Sequence, residues 1–323
     1  MSRRTPFRWD RALRQIFSPN RKKPTGTRLG IESLEDRVVP AITLTALANV
    51  PDSPTDNDPS TPLTGSLRYC IEFANASFDT NITINLTAGG VYNLTRANSL
   101  QSIGQQENEN QVGDLDILNP GQRPAKTITI VGLGGGATIA QTVQDRVFHI
   151  QGSNLTVNFV RLTIRGGTAV DDGTAVVPFS VDSKGGGVLT TATNSTVNFT
   201  NVSLTNNRAI SQSVFSTNAP DAYGGAFYSS TGNITFTNSS LVANTALGGN
   251  GINGSNGGNG ASPATGRGGD GGSGSRGGNG GDAFGGGYYA EEGSVAFNQT
   301  IVESNSAVGG LSLIHISEPT RRS

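Results

Sequence analysis

Val197-Asn-Phe199-Thr-Asn-Val202-Ser-Leu204-Thr-Asn-Asn207-Arg-Ala209 recurs without a gap as Ile234-Thr-Phe236-Thr-Asn-Ser239-Ser-Leu241-Val-Ala-Asn244-Thr-Ala246. It recurs again as Val295-Ala-Phe297-Asn-Gln-Thr300-Ile-Val302-Glu-Ser-Asn305-Ser-Ala307. An earlier copy, Val157-Asn-Phe159-Val-Arg-Leu162-Thr-Ile164-Arg-Gly-Gly167-Thr-Ala169, keeps the spacing with Gly167 where the others have Asn. Gly-rich openers precede the last three copies: Gly185-Gly-Gly-Val-Leu189, Gly224-Gly-Ala-Phe-Tyr228 and Gly285-Gly-Gly-Tyr-Tyr289. Val147-Phe-His-Ile150 stands in that place before the first copy. Each unit holds short apolar/polar alternations, the period of strands, and no helical period.

A unit of about 22–25 residues has one apolar stripe per strand and cannot bury it alone; stacked on its neighbours, it can. The expected fold class is therefore all-β, a single-stranded parallel β-helix or solenoid, with a β-sandwich as the competing arrangement. Phe159, Phe199, Phe236 and Phe297 are expected to form an internal aromatic ladder. Ile164, Leu204, Leu241 and Val302 form an aliphatic one, and Asn207, Asn244 and Asn305 a hydrogen-bonded ladder along one turn. Successive Phe residues lie 40, 37 and 61 positions apart, and the excess always falls between the closing Ala and the next opener, so insertions should leave at one corner. The longest, 248–281, is nearly all Gly, Asn and Ser and cannot bury a core.

Working outward, Leu67, Cys70, Ile71 and Ala74 fall at i, i+3, i+4 and i+7, so a short N-terminal capping helix is expected, started by Ser66. Residues 65–146 then form a cap and first coils, residues 147–310 the repeats, and 42–64 a Pro- and Asp-rich linker. Residues 1–41 read as a basic export or targeting segment: ten of the chain's 23 Lys and Arg lie in the first 37 positions. Contact with an anionic membrane surface or export machinery is one reading of it and a disordered basic tail the other. Between 41 and 310 there are eleven basic and nineteen acidic groups, a balance of −8, which argues against nucleic acid as a partner. Cys70 is the only cysteine, excluding an intrachain disulfide and a Cys-based zinc site. No apolar run reaches the ~18 residues of a membrane helix.

These residues resemble known proteins at three places. Leu29-Gly-Ile-Glu-Ser-Leu-Glu-Asp-Arg-Val-Val-Pro-Ala41 is similar to a short motif near the start of exported proteins of planctomycete bacteria. Gly224-Gly-Ala-Phe227 matches, and Phe199-Thr-Asn and Phe236-Thr-Asn approach, the G-G-A and F-x-x-N signatures of the polymorphic outer-membrane-protein type repeat. Gly65-Ser-Leu-Arg68 with Ala74-Asn75 resembles the segment capping β-helices in a family named for its C-S-L-R-E-A motif, with Tyr69 and Cys70 replacing the usual E-A. The resemblance is to bacterial surface proteins of the pectate-lyase-like type. It implies a right-handed β-helix, an extracellular, cell-surface or outer-membrane location, an adhesive or structural role, and carbohydrate or other cell-surface ligands. Some such relatives act on polysaccharides, which makes a polysaccharide lyase or glycoside hydrolase the alternative. The tail 311–323 looks like a translated sequencing-adapter read and is expected to be non-native, the protein continuing beyond Gly310.

Chemistry is sparse. Setting aside His315 in that tail, His149 is the single histidine, and alternation puts it opposite Phe148 and Ile150, on the outer face or at a turn, without partners for a triad or a three-ligand zinc site. Carboxylate candidates for acid/base work are Asp114 with Asp116, Asp171 with Asp172, and Asp182 with Lys184. Asp171-Asp172-Gly173 resembles the paired Asp of polygalacturonases, but no G-H-G or R-I-K follows, and acids in insertions lack a rigid support. Gly277-Gly-Asn-Gly-Gly-Asp282-Ala-Phe284 fits a calcium-binding nonapeptide once, where shared sites need consecutive copies, making Asp282 a candidate Ca²⁺ ligand and otherwise part of a plain Gly-rich loop. The expectation is a non-catalytic protein with no cofactor. A carboxylate cluster beside an Arg would favour the enzyme.

Overall fold

The structure is a computed structural model that describes residues 41–55, 63–98, 107–174, 181–212, 218–258 and 272–313. The basic segment before Ala41, the middle of the glycine loop and residues 314–323 lie outside them. The fold is all-β with parallel sheets and one helix. The largest sheet has eight strands, in the order Thr64–Gly65, Ile42–Ala46, Asn81–Leu86, Lys126–Gly132, Leu155–Val160, Thr196–Thr200, Asn233–Thr237 and Ser294–Asn298. A six-stranded sheet runs from Val91–Leu94 to Ile301–Glu303, and a five-stranded one from Leu115–Asn119 through Phe148–Gly152, Val188–Thr190 and Phe227–Ser229 to Tyr288–Ala290. Two small sheets flank the insertion corner. One contains Thr168–Ala169, Arg208–Ile210, Thr245–Leu247 and Ser306–Val308; the other contains Ser183–Lys184, Ala222–Tyr223 and Ala283–Phe284.

The chain enters each sheet once per repeat, so parallel neighbours need no helical crossover; the other sheets serve as the connection. Register follows the repeat. Phe159, Phe199, Phe236 and Phe297 are direct partners across the largest sheet. Their rings stack nearly parallel, with centroids 5.1, 4.6 and 5.2 Å apart, and Phe227 meets Phe199 and Phe236 edge-on. Ile164, Leu204, Leu241 and Val302 are partners in the second sheet. One contiguous core runs from Leu44 to Leu241.

Polar groups obey the same register. Asn244 Nδ2 donates to Leu204 O at 2.9 Å, and its Oδ1 accepts from the amide N–H and Nδ2 of Asn207 at 2.9 and 3.1 Å. Asn305 does the same for Asn244. Gly167 has no side chain to offer, and its N–H donates to Asn207 Oδ1 at 3.0 Å. Turns repeat too: Arg161, Asn201, Asn238 and Gln299 all take φ near +50°, as do Asn206, Ala243 and Ser304 one turn later. Asn recurs there because its short side chain tolerates the left-handed region best among non-glycines.

The helix is Leu67–Ala76, and Ser66 Oγ accepts the Tyr69 N–H at 3.0 Å. Leu67, Cys70, Ile71 and Ala74 join the core with Leu44 and Ile82. The stretch read as a linker begins as a strand instead, because Leu44 and Ala46 of Ile42–Ala46 alternate inward and pair with Ile84 and Leu86. Among the described residues no helix is long and apolar enough to cross a membrane.

Candidate functional site

The five-stranded sheet presents one row of side chains away from the core: Asp116, His149, Leu189, Tyr228 and Tyr289, each the direct partner of the next. At the ~4.8 Å spacing of neighbouring strands the row spans about 19 Å. Its two ends differ chemically. Asp116 and His149 are sealed, whereas the Tyr289 end opens to solvent.

At the sealed end three acids, Asp114, Asp145 and Asp171, surround one guanidinium, and Asp116 lies beside them. Arg146 is wholly buried, with Nη2 donating to Asp171 Oδ1 and, at 2.9 Å, to Asp171 O; its Nη1 lies 3.4 Å from Asp114 Oδ2. Asp145 Oδ1 accepts the Arg146 N–H, and Gly113 packs so tightly on this carboxylate that a Cβ there would lie 2.2 Å from Oδ2. Asp116 accepts from Gln151 Nε2 at 2.7 Å and from the Asn110 N–H at 3.0 Å. His149 Nε2 lies 3.1 Å from Thr191 Oγ1, while Nδ1 lies 3.7 Å from Asp116 Oδ1. Burial raises the Asp114 carboxyl to about 7, with Arg146 opposing, and raises Asp116 and Asp145 well above the ordinary range. Burial, with Arg146 adding to it, holds the His149 imidazole neutral.

The capping helix aligns this cluster. Arg68 grips both oxygens of Asp52 at 2.8 and 3.2 Å, and donates to the carbonyls of Asp114 and Gly113 at 2.6 and 2.8 Å. Asn75 pairs with the edge of Leu115–Asn119, donating to Asp116 O at 2.7 Å and accepting from the Leu118 N–H at 2.9 Å. The Ser-Leu-Arg and Ala-Asn residues thus fix the strand that carries Asp114 and Asp116.

His149 lies on the outer face, one of the two places alternation allows, and is 1% exposed because the first insertion folds over it. Gly173, at φ +80°, covers the ring so closely that a Cβ would sit 2.9 Å from Cε1. Asp171 is no loose loop acid, since Arg146 and the Gly173 N–H bind it. Asp172 turns away and closes a local turn on Thr174. Asp145 and Arg146 were not singled out in the sequence, where Asp145-Arg146 stands at an opener lacking glycines.

Asp182 belongs to a different feature. Its Oδ1 accepts the Asp221 N–H at 2.9 Å, and Asp221 Oδ1 accepts the Asp282 N–H at 2.6 Å. The three are equivalent members of an Asp ladder, legible in hindsight as Asp-x-x-Gly-Gly at 182, 221 and 282. Asp282 is its last described member and is exposed.

At the open end Tyr223 stacks on Phe284 at 5.2 Å and Tyr228 on Tyr289 at 5.8 Å, with Tyr223 and Tyr289 5.0 Å apart. Lys184 Nζ lies 4.9 Å over Tyr228 and 3.6 Å from Glu291. Phe284 is 40% exposed. Tyr228 itself is buried, so the surface of this aromatic shelf is Phe284 with the half-buried Tyr223 and Tyr289, flanked by one cation and one anion. A shallow groove of about 450 Å³ also lies at the insertion corner, lined by neutral groups including Gln144, Thr168, Val170, Ile210 and Gln212. No family model, curated protein or solved structure matches the chain.

Proposed function

We propose that the sheets are the faces of one right-handed, single-stranded parallel β-helix, and that the protein is an exported, non-catalytic surface protein that adheres to neutral polysaccharide through its aromatic shelf. The observation that carries this is the separation of chemistry from access. The carboxylate cluster beside Arg146 is sealed beneath the first insertion, whereas the neutral groove and the Phe284 and Tyr288 rings are accessible, and the accessible acids Asp182 and Asp282 belong to a ladder of backbone hydrogen bonds. Ring faces stack on the apolar faces of sugars, and such stacking needs no proton transfer. In-register sheets entered once per repeat support the β-helix reading.

The alternative, a polysaccharide lyase or hydrolase, has the carboxylate cluster beside Arg146 in its favour and the burial of every member against it. Purified full-length chain is expected to be retarded in affinity gels cast with neutral polysaccharides, Phe284→Ala and Tyr289→Ala abolishing the retardation. It is expected to release no unsaturated or reducing ends from pectate or alginate, with or without Ca²⁺. Release of such ends that disappears in Asp171→Asn would overturn the adhesive reading in favour of the enzyme.

A further inference from the structure

We infer that Asp114, Asp116 and His149 form a site for one first-row divalent cation, with zinc the best fit. A carboxylate oxygen from each Asp and a ring nitrogen of His149 lie within 4.8 Å of one another, and all three residues are buried. His149 Nδ1 and Asp114 Oδ1 have no hydrogen-bond partner, although both residues are only 1% exposed. The site requires the tautomer in which Nε2–H donates to Thr191 Oγ1, 3.1 Å away, so that the Nδ1 lone pair faces Asp116 Oδ1 at 3.7 Å. Gln151 Nε2 occupies one lone pair of Asp116 Oδ1, but His149 Nδ1 and Asp114 Oδ1 are left unsatisfied, an arrangement that costs free energy unless a cation or a proton fills it.

The charge balance points the same way. Asp114, Asp145 and Asp171 surround Arg146, Asp116 lies beside Asp114, and the only other cation bearing on Asp114 is Arg68, itself paired with Asp52. The buried acids outnumber the cations that face them in a site closed to water, and buried carboxylates in excess are stable only when neutralised, by protons or by a bound cation. A neutral imidazole with two carboxylates suits zinc or another first-row ion, whereas Ca²⁺ and Mg²⁺ prefer all-oxygen sets. Ligand bonds near 2.1 Å place tetrahedral donors about 3.4 Å apart, so donors within 4.8 Å of one another must close by at most about 1.4 Å. The supporting shell is already built: Thr191 orients His149, and Gln151 and the Asn110 N–H orient Asp116. Counting only His and Cys in the sequence excluded zinc; the two carboxylates from Leu115–Asn119 and its lead-in complete the set. The assignment does not depend on the proposed polysaccharide ligand.

The test uses full-length chain stripped with a chelator, then titrated with ZnCl₂, MnCl₂ or CaCl₂ by calorimetry and thermal melting. Expected are one bound zinc per chain, a Tm rise of several degrees at a hundredfold excess over Kd, and ligand-field bands on Co²⁺ substitution. His149→Gln and Asp114→Asn should weaken zinc at least ~10-fold, Thr191→Val should weaken it less, and Asp172→Asn should leave it unchanged. Thr191→Val keeps every ligand, so it remains informative if a ligand variant fails to fold. Failure of the stripped wild-type chain to take up one zinc per chain on titration, or equal zinc affinity in the wild type and a folded His149→Gln chain, would overturn the site and leave protons as what neutralises the cluster.

Discussion

Replacing Phe199 by Ala removes a ring stacked on both sides, at 5.1 and 4.6 Å, and wholly buried. The expected loss is about 3–5 kcal/mol. Phe297 stacks on Phe236, meets Tyr288 edge-on and keeps some solvent contact, so Phe297→Ala should cost less than Phe199→Ala in urea unfolding. The repeat makes these rings legible in the sequence, because an aromatic that returns at one place in every unit has one physical use. His149 is different: alternation reports which face of the strand a residue is on and says nothing of what covers that face. Its consequence is a pH dependence. In metal-free chain, Asp114 titrates near 7 when folded against an ordinary 3.8. Between those values the folded state binds the extra proton, so the Asp114 contribution lowers stability as pH rises from about 4 to about 7 and is level above that. His149, its folded pKa depressed, acts in the opposite sense below about 6.5. Subtracting the Asp114→Asn pH–stability curve from that of the wild type should isolate the downward slope. A flat difference would mean that Asp114 is ionised throughout.

Turns and ladders set the next scale. The position occupied by Gly166, Asn206, Ala243 and Ser304 is left-handed in every repeat, and Ala243 meets it with a side chain that has neither the freedom of glycine nor a polar group to bond the backbone. Forcing an L-residue there costs roughly 1–2 kcal/mol, less for Asn. Ala243→Asn, on an exposed site, should therefore stabilise by about 0.5–1 kcal/mol, read as a higher urea midpoint at unchanged slope. The strands, the helix with its Ser66 cap and the Asn ladder are all legible from local periods. The carboxylate cluster is not, since Asp116, Arg146 and Asp171 come from three segments that only the stacking brings together. Asn75 and Arg68 illustrate the same limit: their spacing identifies a helix face, while their hydrogen bonds are to a strand some 40 residues away.

At the scale of the whole molecule, parallel stacking fixes every register, and the insertions enter between Thr168–Ala169, Arg208–Ile210 or Thr245–Leu247 and the next short strand at the corner. Hydrogen bonds between equivalent residues therefore bridge 40, 37 or 61 positions with the same geometry. A Gly-Ser segment of about a dozen residues inserted after Gly258 should cost under ~0.6 kcal/mol, because loop closure grows only with the logarithm of length, and should leave Tm within about 2 °C. The same segment inserted at Ser239, whose hydroxyl is buried and bonded to the Val202 N–H, should unfold the adjacent repeats. Variation in length and composition is thereby confined to a strip where it does not disturb the spine. Descendants of this chain can diverge in what they display to their surroundings while their interiors stay interchangeable, so the same spine can meet a changing environment without having to be folded anew.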